Sequence, residues 1–366
     1  MALKTSAGLS AQLSVWGRSA MITSRKLCQA GLTLLEILVA LGLGAFMLVG
    51  LITLVVSVSQ SRVELGRTSA NVENGRYALQ LIGDDIARAG FYGRFSLRSV
   101  GNNYAWPDPG ICETVTGNLG FSAATPQVPL PVYAETSNPL PACLTNATAG
   151  TRALVLRRVA TTQRDIVANP IPAGNEHPFL QVSGCENDAR VFVFSKTQAD
   201  LTYRLSDCVT RAPAWSYIAR AYYLSPCNDC ANGGDGIPTL RSAELTGNTI
   251  SVLPQVEGIE DMHILYGLDT EANGSPSCYI EDPEVAPPVG SGCDGWGADA
   301  EERWRNVVAV RVNLLVRSIE PSPGWTDAPR TYDLGRAARV GPFNDSFKRR
   351  VFSSVVVIPN VAGTRL

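Results

Sequence analysis

The sequence predicts an α+β fold, in which one long N-terminal helix precedes a β-rich head with long disulfide-tied loops. Three observations indicate this fold. An apolar run from Leu32 to Val58 contains one charged residue, Glu36. Short runs rich in β-branched and aromatic residues fill the second half of the chain. Eight of the nine cysteines come after the apolar run.

The first 31 residues form a basic leader. They contain four basic and no acidic residues, so the net charge of −2 for the whole chain becomes −6 for the remainder. We expect residues 1–31 to be a leader peptide, with Met21 as an alternative start, and we exclude them from fold reasoning. A mildly acidic remainder does not favour nucleic-acid binding, so we expect no nucleic-acid partner.

The apolar run is long enough to span a bilayer, since 27 helical residues extend about 40 Å. A secretory signal would be shorter and would end in a small-residue cleavage site, which is absent here. A lipoprotein signal would place its cysteine after the apolar run, whereas Cys28 precedes it. We expect residues 32–58 to be a transmembrane helix with its basic flank in the cytoplasm and the head in the periplasm.

A plain anchor explains the length of this run but neither Gly31 nor Glu36. A lone carboxylate in a membrane-length helix is costly and needs a partner. Cleavage after Gly31 would free an ammonium group at Leu32, about one helical turn from Glu36. The ammonium group of a neighbouring copy and this carboxylate could then neutralise each other in a helix bundle.

The helical pattern continues through residues 59–90 but becomes amphipathic. One face carries Val72, Leu79, Ile82 and Ile86. We expect the charged residues to lie largely elsewhere; they are Arg76, Asp84, Asp85 and Arg88. Gly90 is placed to end a helix that runs from Leu32 to Ala89.

Residues 91–366 are expected to form the head. Residues 91–150 predict loops with short strands, and residues 271–300 predict a long loop tied by cysteines. Strands are predicted in six runs: Arg152–Leu156, Val191–Phe194, Ile218–Tyr223, His263–Tyr266, Val307–Val316 and Val351–Ile358.

The cysteines that follow an export signal predict disulfides in an oxidising compartment. Many pairings are open, and we expect pairing between sequence neighbours: Cys112–Cys143, Cys185–Cys208, Cys227–Cys230 and Cys278–Cys293. The Cys227-x-x-Cys230 pair has alternatives as a redox motif or half a zinc site. However, its Gly-rich surroundings and a chain with two histidines favour a local disulfide.

Enzymatic motifs are absent from the sequence, so we expect no catalytic residue, no cofactor and no metal site. His177 and His263 are interpreted as structural. The stretch Asp269–Gly274 resembles half of a calcium loop, but Ile280 occupies the position of its bidentate glutamate. A polar turn between strands is the better interpretation.

The N-terminal pattern resembles the type IV prepilin signal at Gly31, Thr33, Leu34 and Glu36. Leu32 departs from it, because phenylalanine or methionine is commoner there. The resemblance implies a pilin-like fold, with the helix packed on a mainly antiparallel sheet. It also implies that a prepilin peptidase cuts between Gly31 and Leu32 and N-methylates Leu32, and that Glu36 acts in assembly.

Several further stretches resemble the PilW family of minor pilins. They are Asn74–Leu79 with Asp84–Gly93, Val256–Met262 with Leu265–Thr270, Trp304–Val312 with Leu314–Ser318, and Arg349–Val357. This resemblance implies a subunit that joins other minor pilins, the major pilin and a tip adhesin in a complex needed for pilus assembly, and hence for twitching motility and adhesion. It implies location in the inner membrane and then in the pilus. The alternatives are a J-like pseudopilin of type II secretion and a tip adhesin or binding module.

Overall fold

The computed structural model describes residues 33–97 and 104–363, and the chain divides into two compact units between Gln60 and Ser61. Three α-helices are present in these ranges: α1 (Leu34–Arg88), α2 (Ala300–Arg305) and α3 (Pro359–Ala362). The strands are β1 (Val132–Glu135), β2 (Ala153–Val159), β3 (Phe179–Val182), β4 (Phe192–Ser195), β5 (Ala214–Ser225), β6 (Thr239–Thr246), β7 (Thr249–Glu257), β8 (Ile259–Leu268), β9 (Cys278–Ile280), β10 (Val307–Arg317) and β11 (Arg349–Val357).

In the described residues, the first unit consists of Thr33 and the apolar part of α1, as far as Gln60. Every side chain from Leu34 to Gln60 is exposed. Within the described residues, α1 is the one helix long and apolar enough to cross a membrane. The helix ends at Arg88, and Gly90 follows with a φ of +72°, as expected of a glycine that terminates a helix.

The rest of α1 packs its apolar face on the head. Ala78, Ile82 and Ile86 are fully buried and join the main core, which draws on both sheets. The amphipathic interpretation is therefore confirmed for Ile82 and Ile86. It is wrong for Asp85, which is 4% exposed on this face.

Seven strands form an antiparallel sheet around the twelve-residue strand β5, which pairs with β2, β3 and β6. Strand β2 is buried on both faces. The side chains of Leu154 and Leu156 enter the main core. Ala153 and Val155 instead pack under the preceding loops, against Ile111, Leu140 and Leu144. The long loops before β2 therefore cover the second face of this sheet.

The second sheet contains four antiparallel strands in the order β11-β10-β8-β9. Gly258 marks the corner at which the chain leaves β7 in the first sheet and enters β8 in the second. Its φ is +81°, and an added Cβ would lie 2.7 Å from the Arg317 carbonyl oxygen. Only glycine fits this bend without strain.

The α+β prediction is confirmed: a long apolar helix precedes antiparallel sheets with four disulfides. All six predicted strand runs overlap observed strands, namely β2, β4, β5, β8, β10 and β11. The prediction missed the hairpin of β6 and β7, although its two-residue Gly247-Asn248 turn, with Thr246 opposite Thr249, is a recognised hairpin signal.

Candidate functional sites

Glu36 lies in the first turn of α1 and forms a reciprocal cap with Thr33. The Glu36 N–H donates to Thr33 Oγ1 at 3.3 Å, and the Thr33 N–H lies 3.4 Å from Glu36 Oε2. This arrangement is a capping box, which satisfies two backbone donors at a helix start. The Thr-x-x-Glu spacing is visible in the sequence, but the sequence analysis relates these residues to the prepilin signal and to assembly and not to a helix cap.

The predicted processing residues, Gly31 and Leu32, lie outside the described ranges. In the described part of the apolar segment, Glu36 is the one charged side chain before Arg62. The side chains around it are strongly exposed; Leu34 is 77% and Phe46 80% accessible. Such a continuous apolar surface needs a lipid or protein environment.

A buried ionic cluster fixes the later part of α1 to the larger sheet. Asp85 accepts from Arg158 Nη2 at 3.0 Å and from the Tyr222 hydroxyl at 2.7 Å, and it also pairs with Arg220. Burial alone would raise the pKa of Asp85, but Tyr222 and the two guanidinium groups hold that pKa below its usual value. The carboxylate thus remains charged on the buried face of the helix, away from which the charged residues were largely expected to lie.

The sequence spacing of apolar residues on α1 contains a signal that Asp85 lies on the buried face. Ala78, Ile82 and Asp85 are separated by four and three residues, and Ile86 follows Ile82 after four, which is the period of one helix face. Asp85 is instead among the charged residues that the sequence interpretation expects to lie largely away from the apolar face. The residues that compensate it, on β2 and β5, are more than 70 positions away in sequence.

A second polar cluster attaches the earlier part of this helical segment to the loop after β10. Glu64 accepts from Ser322 Oγ at 2.9 Å and pairs with Lys348. The hydrogen bond from Lys348 is the main reason that the pKa of Glu64 is lowered. One turn further along, Arg67 donates to Glu320 at 2.5 Å.

Both histidines are engaged by backbone groups. His177 Nδ1 accepts from the Gly247 N–H at 3.3 Å, so its Nε2 is the nitrogen that donates to the Tyr217 carbonyl at 2.8 Å. Burial lowers the pKa of His177 and favours this neutral tautomer. His263 Nδ1 lies 2.8 Å from the Leu334 carbonyl oxygen. Each ring therefore joins separate segments of the chain.

The Asp269–Gly274 stretch forms the turn between β8 and β9. Asp269 is 1% exposed, and its carboxylate accepts backbone N–H groups from Glu271, Asn273 and Gly274. Both carboxylate oxygens of Asp269 thus stabilise the backbone of the turn, which fits the polar-turn interpretation. Across residues 33–97 and 104–363, no three His, Cys, Asp or Glu side chains are grouped as a metal site.

Four disulfides cross-link the head. They join Cys112 to Cys143, Cys185 to Cys208, Cys227 to Cys230, and Cys278 to Cys293. This is pairing between sequence neighbours. The short Cys227–Cys230 loop is also held by Arg241, which donates to the Asn228 carbonyl at 2.6 Å.

Comparison with known families gives a match, and searches of curated proteins and of solved structures give none. The matching family is PilW, described as Type IV Pilus-assembly protein W, and the match covers residues 221–360. This range begins within β5 and includes the whole four-stranded sheet. The PilW-like stretches from Val256 onward lie inside it, whereas Asn74–Gly93 lies outside. The match supports assignment of the chain to the PilW family, and with it a role in type IV pilus assembly.

Proposed function

We propose that this chain is a minor pilin. In this proposal, prepilin peptidase cleaves it between Gly31 and Leu32 and methylates the new N-terminus. The apolar part of α1 holds it in the inner membrane with the head in the periplasm. It then joins other minor pilins, the major pilin and a tip adhesin in a priming complex. Pilus assembly, twitching motility and adhesion depend on that complex.

The observation that carries the proposal is the PilW match on a head that follows a fully exposed apolar helix with a single carboxylate. A soluble protein would not leave every side chain from Leu34 to Gln60 uncovered. A lipid anchor alone would gain nothing from Glu36, because a charged group opposes membrane insertion. Both features fit a helix that passes from lipid into a protein bundle.

Glu36 determines how the helix pairs with its neighbours when it moves from lipid into a protein bundle. In an isolated subunit, its carboxylate is partly satisfied by the Thr33 N–H of the capping box. In a bundle, the free ammonium group on Leu32 of a neighbouring subunit offers a stronger, charge-assisted partner. The pairing fixes the axial register of two helices, since one turn separates donor from acceptor. Burial of Leu34, Leu35, Ile37 and Leu38 between helices adds packing.

The test is a clean deletion complemented with wild type, with Glu36→Ala or with Glu73→Ala. Glu73 is a matched control, because it is an exposed glutamate on the head part of the same helix. We expect wild type and Glu73→Ala to restore surface pili and twitching. Glu36→Ala should insert into the membrane at normal levels but restore few pili, and Gly31→Ala should leave a larger, uncleaved band.

Normal piliation with Glu36→Ala would contradict the assembly role of the carboxylate. Normal processing of Gly31→Ala would contradict the cleavage site. A deletion that keeps pili but blocks protein secretion would favour a type II secretion pseudopilin. A deletion that keeps pili and loses only adhesion would favour a binding module.

A further inference from the structure

Strand β11 has an open outer edge. It lies at the end of the four-stranded sheet and pairs with β10 alone. The register runs from Arg317 opposite Arg349 to Ala309 opposite Val357 without a shift. No residue from Arg350 to Val357 is buried.

The hydrogen bonds at the two ends of the β10–β11 pair show which backbone groups of β11 point outward. The Ser318 N–H donates to the Lys348 carbonyl, and the Ile358 N–H donates to the Val308 carbonyl, both at 2.8 Å. Bonding alternates along an antiparallel pair, so even-numbered residues of β11 bond to β10. The outward N–H and C=O groups belong to Val351, Ser353, Val355 and Val357. No residue that the structure describes bonds to them.

The other outer strands carry features that discourage pairing. Strands β1 and β4 have four residues each, and β9 has three. Strand β7 is as long as β11, but it contains Pro254 and a register shift opposite Leu240 and Arg241. Short edges, proline and irregular register are the usual protections against edge-to-edge association. Strand β11 has none of the three.

We propose that β11 accepts an extended strand from a different protein, which adds to the four-stranded sheet. The incoming strand carries apolar side chains at alternate positions, because Val355 and Val357 are 48% and 46% exposed on one face of β11. It places a carboxylate opposite Arg350, which is exposed and makes no ion pair with a described residue.

A second copy of this chain fits the edge less well. Strand β11 carries Arg349 and Arg350 and has no acidic residue from Arg349 to Val357. Two-fold pairing of two β11 edges would therefore offer no carboxylate to Arg350, whereas a strand from a different protein can supply one.

The test measures binding of a fluorescein-labelled peptide, acetyl-Val-Thr-Val-Thr-Val-Thr-Val-Glu-amide, to the full chain in detergent micelles by fluorescence anisotropy. The glutamate is opposite Arg350 when the peptide is antiparallel. We expect saturable binding to wild type. Val355→Pro should weaken it about tenfold or more, because proline removes an outward N–H and blocks the edge but takes no bond from β10. Val355→Thr keeps that N–H and should bind like wild type.

The charge contact has its own control. Arg350→Glu should weaken binding roughly fivefold, and a peptide with lysine in place of glutamate should recover it. Equal binding to wild type and Val355→Pro, or no binding to wild type, would overturn the proposal. Dimers of wild type that disappear with Val355→Pro would show that a second copy occupies the edge, and would also overturn it. None of these outcomes depends on whether pili assemble.

Discussion

At the scale of single residues, Asp85 differs most from the sequence-based expectation, because its charged side chain lies on the buried face of α1. A carboxylate on the core face of a helix is tolerated here because two arginines and a tyrosine donate the hydrogen bonds that water would otherwise supply. A buried ion pair is not in itself a strong source of stability. Removing one partner is costly, however, because the remaining charges stay buried without compensation.

We therefore expect Asp85→Asn to destabilise the head by about 3 kcal/mol. Arg158 would then keep a buried guanidinium group without its carboxylate. The measurement is guanidinium chloride unfolding of the full chain in detergent micelles. Asp84→Asn is the matched control, because Asp84 is the neighbouring carboxylate and is exposed; it should shift stability by less than about 0.5 kcal/mol. Equal effects of the two substitutions would contradict the role of the cluster.

The dependence of the free energy of unfolding on pH, at acid pH, tests the role of the same cluster. The pKa of Asp85 is lower in the folded chain than its usual value of 3.8. Its contribution is therefore fully present above about pH 4, and it is lost as the pH falls from there through the folded pKa. Wild type should lose stability more steeply than Asp85→Asn below pH 4. Parallel profiles would indicate that other carboxylates control acid unfolding.

At the scale of elements, α1 approaches the second sheet so closely that only glycine fits one contact. A Cβ on Gly75 would lie 2.5 Å from the Phe352 ring, whereas a Cβ on Gly66 of the same helix would meet no atom within 4 Å. Glycine normally weakens a helix interior. Glycine at position 75 therefore lowers the local helix propensity but allows a close contact between helix and sheet.

This contrast predicts opposite effects for the same substitution at two positions. Gly75→Ala should destabilise the head by about 1–3 kcal/mol, because the Phe352 ring must shift. Gly66→Ala should stabilise it by up to about 1 kcal/mol, because alanine favours the helix. Phe352→Leu should relieve much of the Gly75→Ala loss in a double-mutant cycle. Stabilisation by both alanines would mean that the helix is less closely packed than the structure indicates.

The elements also separate what the sequence could predict from what it could not. The helix and six strands were predicted, because each has a local period or a run of β-branched residues. Asp85 and Gly75 were not recognised, because their partners lie far along the chain, on β2, β5 and β11. When the opposing surface is unknown, a charged residue indicates an exposed position and a glycine indicates a flexible one. The Thr33–Glu36 cap was a missed local signal.

At the scale of the whole molecule, the two units depend on different forces. Among the described residues, the apolar part of α1 from Leu34 to Gln60 has no buried side chain, so its environment must come from lipid or from other helices. The head has its own core and four disulfides. Its long loops before β2 and after β9 carry two of these cross-links, and the loops before β2 cover apolar surface of the larger sheet.

The sizes of the cross-linked loops predict how much each disulfide contributes. Cys112 and Cys143 are 31 residues apart, whereas Cys227 and Cys230 are three apart. In the chain-entropy account, the longer loop restricts the unfolded state more, by about 2 kcal/mol. Replacing Cys112 and Cys143 by serine should therefore lower the free energy of unfolding by about that much more than replacing Cys227 and Cys230. Denaturant unfolding of the two double variants in detergent measures the difference. An equal or larger loss for the Cys227 and Cys230 pair would show that native-state contacts, such as that of Arg241 with the Asn228 carbonyl, and not loop closure, set the contribution of these cross-links.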